Sequence, residues 1–410
     1  MTAGGPLVLI EPYAHRLGGH HQHALTALAT ARTGSVVITP YGVAGDLAPL
    51  RAAGARVPAG PAGLASAVLL AAARWAGAAS AAGQRAFASR RWPDVMRRAP
   101  HQVTLLARCL TEAACLRTAR RLAPDPAAVV VLSASEALHG AAALLGGLPH
   151  LRFLHEAVTA EGMVVRLLGR LTRHGEARVR ALYPTAAVRD QFAPAFPRLA
   201  GEVRPFAVND GNPLTDQERD GARAAFTIPP GEPVVSLVGG WWPYKDIDVI
   251  NAALARLTSP LHLVVTGHPI DETVLEGWRT LPQVRLHTVP GPVSEQVLRI
   301  VYGAADAALV ARRPGVGKES GLVMDAVRRG VPLIVSDHDP ALTARLAGQG
   351  WARLFPAGDA DALAKVLGGL AADPPPRPGP DAAQAVGLRT AAEQAAFLTD
   401  VYTRLLAKES

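Results

Sequence analysis

Short apolar, β-branched runs recur along this chain, each followed by a helix-compatible stretch, and after one polar interruption the whole series starts again. The first set covers 7–11, 35–39, 128–133, 151–156 and 177–183. A polar, Gly- and Pro-containing passage at 209–231 follows, and the second set covers 234–239, 262–267, 284–289, 307–311 and 332–337. Strands that alternate with helical patterns build parallel sheets covered on both faces. A chain of 410 residues is also too long for one ordinary core. The pattern therefore predicts an α/β protein of two Rossmann-like, doubly wound domains. One domain is expected over 1–205 and a second over 206–385. An amphipathic closing helix within 386–410 should pack back on the first domain. In such sheets ligands bind beyond the carboxyl ends of the strands, so the loops after strands carry the functional weight.

Composition narrows the classes. With 49% hydrophobic and 19% charged residues the chain has material for buried strands and no signature of disorder. The formal charge of +8 is mostly arginine. No zinc-knuckle, helix-turn-helix or aromatic-and-basic pattern accompanies it, which argues against nucleic acid and for an anionic metabolite such as a diphosphate. The longest uncharged apolar run, 61–73, ends at Arg74 and is shorter than a bilayer span. No transmembrane segment and no signal peptide are expected, and a cytoplasmic location follows. Cys109 and Cys115 fall on different faces of one helical segment, which suits free thiols. The stretch 62–98, with Trp75 and Trp92, reads either as an acceptor-side or lipid-facing element or as a solvated helix pair.

The most informative stretch is 305–337, AADAALVARRPGVGKESGLVMDAVRRGVPLIVSD. A strand should end near Ala311. The loop after it carries Arg312, Arg313 and Lys318, a helix should begin around Ser320, and Gly330 should end it. Unpaired amides at a helix start, here at Ser320, Gly321 and Leu322, bind anions, and the loop adds cations. Asp325, just over one turn on, is either a ribose ligand or an ordinary polar residue of a helix face.

This segment resembles the donor-binding signature of GT-B glycosyltransferases, in particular the retaining family numbered 4. Asp325-Ala326-Val327-Arg328-Arg329-Gly330-Val331-Pro332 matches the acidic residue and the Ala-x-x-x-Gly-x-Pro that follows it. Upstream, VVSLVGGWWPYKDIDVINAALARL resembles the family's strand, glycine turn and phosphate-binding lysine, here Lys245. Downstream, LFPAGDADALAKVL resembles the segment after the donor site. Two departures stand out. Gly239 is followed by Gly240 where the family commonly has arginine, so Arg312 or Arg313 is the alternative source of charge, unless either is simply a solvated arginine. Glu319 stands closer to Asp325 than the family's paired acids do, which weakens its assignment to the donor sugar.

The resemblance implies sugar transfer from a nucleotide-diphosphate donor, of UDP or GDP type, to a small-molecule acceptor of the kind used in natural-product or antibiotic assembly. It implies retention, no metal and no further cofactor, with 1–205 on the acceptor side and 206–385 binding the nucleotide sugar. Lys245, His20 and His155 would be catalytic. The diphosphate would meet Gly18, Gly19, Arg312, Lys318, Ser320, Gly321 and Leu322. Glu319 would face the donor sugar and Asp325 the ribose, with the base beside His287, Val289 and Val293. A homodimer is left open. His15, His20, His21 and His23 cluster near the first glycine pair, but no cysteine or carboxylate completes a metal-ligand pattern there. Asp246-Ile247-Asp248 formally makes an Asp-x-Asp motif, yet its place at a helix start suits capping. The alternatives are a nucleotide-sugar epimerase of the same architecture and a catalytically silent nucleotide-sugar-binding protein.

Overall fold

The computed structural model describes residues 4–15, 20–44, 47–87, 92–155, 162–209, 212–316 and 320–408, with the side chains of 20–22 excepted. Gly18, Gly19, Lys318 and Glu319 lie outside the described residues, and His20 is described only as the first backbone position of the helix His20–Ala31. The chain divides into two compact units. Met1–Arg16, His21–Val208 and Ala391–Ser410 belong to one, and Asn209–Thr390 makes the body of the other.

The first unit holds a parallel sheet of β1 (Leu7–Ile10), β2 (Val36–Ile38), β3 (Ala128–Val131), β4 (His150–Phe153), β5 (Val179–Tyr183) and β6 (Gly201–Val203). Their order is β2-β1-β3-β4-β5-β6. Strands β1 to β4 are buried throughout, because helices cover both faces, and this explains the unbroken apolar runs that marked them. The terminal helix Ala391–Leu406 packs on β3, β4 and β5 and buries Leu398, Val401, Tyr402 and Leu405 in the same core.

The second unit holds β7 (Val234–Val238), β8 (Leu261–Gly267), β9 (Val284–Pro290), β10 (Ala307–Val310), β11 (Leu333–Ser336) and β12 (Ala352–Phe355). All pair in parallel in the order β9-β8-β7-β10-β11-β12. This is the 3-2-1-4-5-6 order of a dinucleotide-type Rossmann sheet, whose direction of winding reverses between β7 and β10. The reversal opens a crevice at their carboxyl ends, and both ends carry the residues singled out from sequence.

Two strands and a helix are among the elements that escaped the sequence reading. Strands β6 and β12 are short edge strands without an apolar run. The polar passage 209–231 contains the helix Asp216–Ala225, held by a complete capping box between Thr215 and Glu218. The apolar run at 61–73 does not stop at Arg74 as a structural element. From Leu64 on it opens a 23-residue helix, Leu64–Ala86, that is long and apolar enough to cross a bilayer by length and composition alone. One face of it is committed to protein: Ser80 Oγ donates to Pro100 O at 2.7 Å and pairs with Thr104 Oγ1 at 2.6 Å on the helix Asp94–Leu122. Cys109 and Cys115, on that second helix, are free and buried.

Candidate donor site at the sheet's switch point

The turn after β7 is built from close backbone contacts. Gly239 adopts φ +87°, and a β-carbon on it would stand 3.4 Å from Lys245 Nζ and 3.5 Å from Leu322 Cδ2. At the end of β8, Gly267 has φ +150°, and its β-carbon would fall 2.3 Å from the Gly239 carbonyl carbon. A side chain on Gly240 would come within 2.2 Å of His268 O. These approaches explain the Gly-Gly pair: an arginine at 240 has no room to leave the backbone, because the turn after β8 occupies that space. The result is a glycine floor between adjacent strand ends, on which a ligand can lie close to the main chain.

Two cations stand at this floor. Lys245 is buried, and its Nζ donates to Val238 O at 2.6 Å and Gly239 O at 2.8 Å. Burial, and secondly the nearby Arg312 charge, pull its pKa down to about 7. An ammonium has three donors and a neutral amine only two. The charged form thus keeps one N–H beyond the two spent on carbonyls, and the neutral form keeps none. Arg312 follows β10 and is tied to the lysine segment by an isolated antiparallel bridge, Lys245 to Arg312. Its amide donates to Ser336 Oγ at 3.0 Å, Nη2 donates to Ser320 Oγ at 3.1 Å, and its guanidinium lies 5.3 Å from the Tyr244 ring centre. Burial lowers the pKa of this guanidinium also.

Ser320 caps the helix Gly321–Arg328, its Oγ accepting from Val323 N at 3.4 Å, and the helix ends at Gly330 with φ +70°. The structure therefore brings together Lys245, Arg312, Ser320, Gly321 and Leu322 around Gly239. Ser336 and His338, at the end of β11, were missed from sequence. His338 Nδ1 pairs with Ser336 Oγ at 2.9 Å, and burial, then Arg312, lower its pKa to about 4, so it braces the Arg312 loop as a neutral ring. Their only sequence signal is a polar residue directly following an apolar strand.

Asp325 is engaged elsewhere. Its Oδ1 lies 3.0 Å from Arg328 Nε and 3.2 Å from Arg329 Nη1, and both arginines also pair with Glu295. Arg329 is 0% exposed as a side chain, so the carboxylate anchors a buried guanidinium in addition to anything it does for a ligand. His287 sits mid-strand on β9 rather than at its carboxyl end. Its ring stacks on His262 with Nε2 2.9 Å from His262 Nδ1, and His262 Nε2 pairs with Glu232 at 2.5 Å. Glu232 precedes β7, so this ring points toward the amino end of the sheet and not toward the crevice. Val289 O accepts from Thr266 Oγ1 at 2.9 Å, and Val293 is half-buried in the loop beyond β9.

Asp246 caps the helix Ile247–Ala255, accepting from Val249 N at 3.3 Å, and Asp248 pairs with Arg313 at 2.8 Å. In the first unit, His155 Nε2 bonds Leu132 O at 2.8 Å and its ring packs edge-on to Phe206, 4.5 Å between centres. Beside it, at that sheet's own reversal between β1 and β3, Glu11 is fully buried, accepting from Ser133 Oγ at 2.6 Å and Tyr13 N at 2.8 Å. In the sequence Glu11 is marked only as the end of a strand. His15 packs on Tyr41, and His23 reaches Val208 O at 3.3 Å.

Two parallel sheets in separate units, with these orders, can be set beside known proteins. The Anabaena protein HepE in complex with UDP-glucose matches with a TM-score of 0.58 at 13% identity, over 98% of each chain. The UDP-forming α,α-trehalose-phosphate synthase of Burkholderia xenovorans gives 0.57 at 13%, over 98% of this chain and 100% of its own. WaaG, a glycosyltransferase involved in lipopolysaccharide biosynthesis, gives 0.54 at 14%, over 97% and 99%. The fold is GT-B. Within this GT-B chain, residues 232–373 match the family described as Glycosyl transferases group 1, which is most of the second unit and none of the first. D-inositol 3-phosphate glycosyltransferase of Rhodococcus erythropolis is 33% identical over 132 residues, and the match spans 29% of this chain and 29% of that relative's length.

Proposed function

We propose that this protein is a glycosyltransferase that takes its sugar from a nucleoside-diphosphate donor held at the switch point of the second unit. The observation that carries the reading is the pair of buried cations, Lys245 and Arg312, joined by an isolated backbone bridge just beyond the strand ends at the reversal of the sheet, beside a capped helix start. The match of 232–373 to Glycosyl transferases group 1 supports the same chemistry.

Breaking a sugar–diphosphate bond places negative charge on the leaving oxygen and positive character on the anomeric carbon. Preorganised donors in a site shielded from water stabilise that charge most. The third N–H of the Lys245 ammonium, the Arg312 guanidinium and the amides of Gly321 and Leu322 supply it without a metal ion. Gly239, Gly240 and Gly267 let the diphosphate approach the main chain. The acceptor hydroxyl, amine or thiol then attacks with retention, a donor phosphate oxygen taking its proton, so no dedicated side-chain base is required. UDP and GDP sugars are both candidate donors, and a small molecule is the acceptor.

Mass spectrometry on the protein incubated with a panel of nucleotide sugars and acceptors tests this directly. A glycosylated acceptor with equimolar nucleoside diphosphate is the expected product. Isomerised donor formed without acceptor would make it an epimerase instead, and bound but unchanged donor would make it a binding protein.

The lysine pKa gives a second test. An anionic donor raises the pKa of Lys245 from about 7, so binding takes up a proton wherever the free lysine is neutral. Calorimetry at pH 8, in buffers of different ionisation enthalpy, should show uptake approaching one proton per nucleotide sugar, and at pH 6 little. Affinity should accordingly decline as pH rises through and above 7. Proton uptake that persists in Lys245→Met would assign the effect to another group.

A further inference from the structure

Two helices of the first unit present apolar faces to solvent. On Leu64–Ala86 the stripe Leu64, Val68, Ala71, Trp75, Ala78 and Ala82 repeats at helical spacing and is exposed, Leu64 and Trp75 each at 80%. On Met163–Leu171, Met163 is 77% exposed and Val164, Leu167 and Leu171 are exposed beside it. Both helices pack on the same stretch of Asp94–Leu122. Ser80 of the first bonds Pro100 and Thr104, while Val165 of the second packs against Leu105 and Cys109. Soluble surfaces scatter such residues singly, and gathered apolar faces of this kind mark a docking surface.

Charge decides the occupant. No Asp or Glu occurs from 47 to 93 or from 162 to 175. The two helices carry exposed Arg74 and Arg85 on the first and Arg166 and Arg170 on the second, with Arg173 just beyond. A second copy of the chain would bring the same arginines against these, like charge against like. An anionic bilayer surface offers the complement to both features, apolar depth for the stripes and negative head groups for the arginines. Trp75, amphipathic and outward-facing, suits the head-group level.

We propose that the first unit docks on an anionic lipid surface through the outward faces of Leu64–Ala86 and Met163–Leu171. The helices lie in the interface; neither spans the bilayer. The proposal is independent of the activity, because it is read by binding alone.

The experiment is co-sedimentation of the full chain with vesicles of phosphatidylcholine alone and with one-third phosphatidylglycerol, alongside light scattering of the free protein. Binding to the anionic vesicles only, weakening with salt, is the expected result. Arg166→Gln with Arg170→Gln should cut partitioning by one to two orders of magnitude, at about fivefold per arginine. Val68→Glu with Trp75→Glu should abolish it without changing the melting curve, since both side chains are exposed. Brominated lipid should quench the wild type but much less the Trp75→Phe variant. Equal binding to neutral vesicles, no binding to either, or a dimer that Val68→Glu with Trp75→Glu converts to monomer would each overturn the proposal.

Discussion

Lys245→Ala is expected to lower the rate of sugar transfer by about two to three orders of magnitude, the usual consequence of removing one preorganised donor from a developing anion. The protein should stay folded. A lysine held at a pKa of about 7 binds fewer protons in the fold than in the unfolded chain between about pH 7 and 10. Its burial therefore costs stability, most at and below pH 7, and the cost shrinks as pH rises through that window. Against this stand its bonds to Val238 O and Gly239 O, so the two effects oppose each other and the melting temperature should move by less than about 4 °C. Single-turnover rates paired with thermal melts check both halves. A folded variant with undiminished transfer would remove Lys245 from the mechanism. A variant that melts far below the wild type would show that the lysine is chiefly a clamp on the strand end.

Asp325→Ala is expected to destabilise the protein by about 3 kcal/mol. Removing one member of a buried pair strands the other charge, at about 3 to 5 kcal/mol, and the lower end applies because Glu295 still reaches Arg328 and Arg329. For a unit of this size the fall in melting temperature is on the order of 10 °C. It should appear without any nucleotide. If Asp325 served only the ribose, the free protein would melt unchanged and only the stabilisation by added nucleotide sugar would be lost. Asp325→Asn, which keeps an oxygen toward Arg328 Nε, should recover part of the stability, and so separates the anchoring of the arginines from contact with a ligand.

The same two residues show how far the sequence could be read. Lys245 and Arg312 stand far apart in sequence, and sequence points to them separately, to one by its place after a glycine turn and to the other, alongside Arg313, as a stand-in for a missing arginine. What joins them is the pairing of β7 with β10, a property of strand order that local patterns do not encode. Gly240 appeared as a departure from a family pattern, and only the turn after β8, 2.2 Å from where its β-carbon would be, gives the reason. For Asp325 the sequence offered a ribose ligand or a solvated polar residue. The structure adds an employment that neither described, because helix geometry puts Arg328 and Arg329 at the spacings that reach back to it.

The alternation of buried runs and helical stretches, broken once and restarted, determined by itself that this chain makes two doubly wound α/β units. Backbone hydrogen bonding and apolar burial act locally and repeat with a fixed period, so they are written in every segment. Glycines, caps and the Asp-Ala-x-x-x-Gly-x-Pro run were legible for the same reason. Tertiary structure alone decided which strand ends meet, that Lys245 is buried enough to titrate near neutrality, that His287 faces His262 and Glu232, and that the stripe around Trp75 is exposed. Each depends on what lies across from a residue, and burial and charge are set by neighbours distant in sequence.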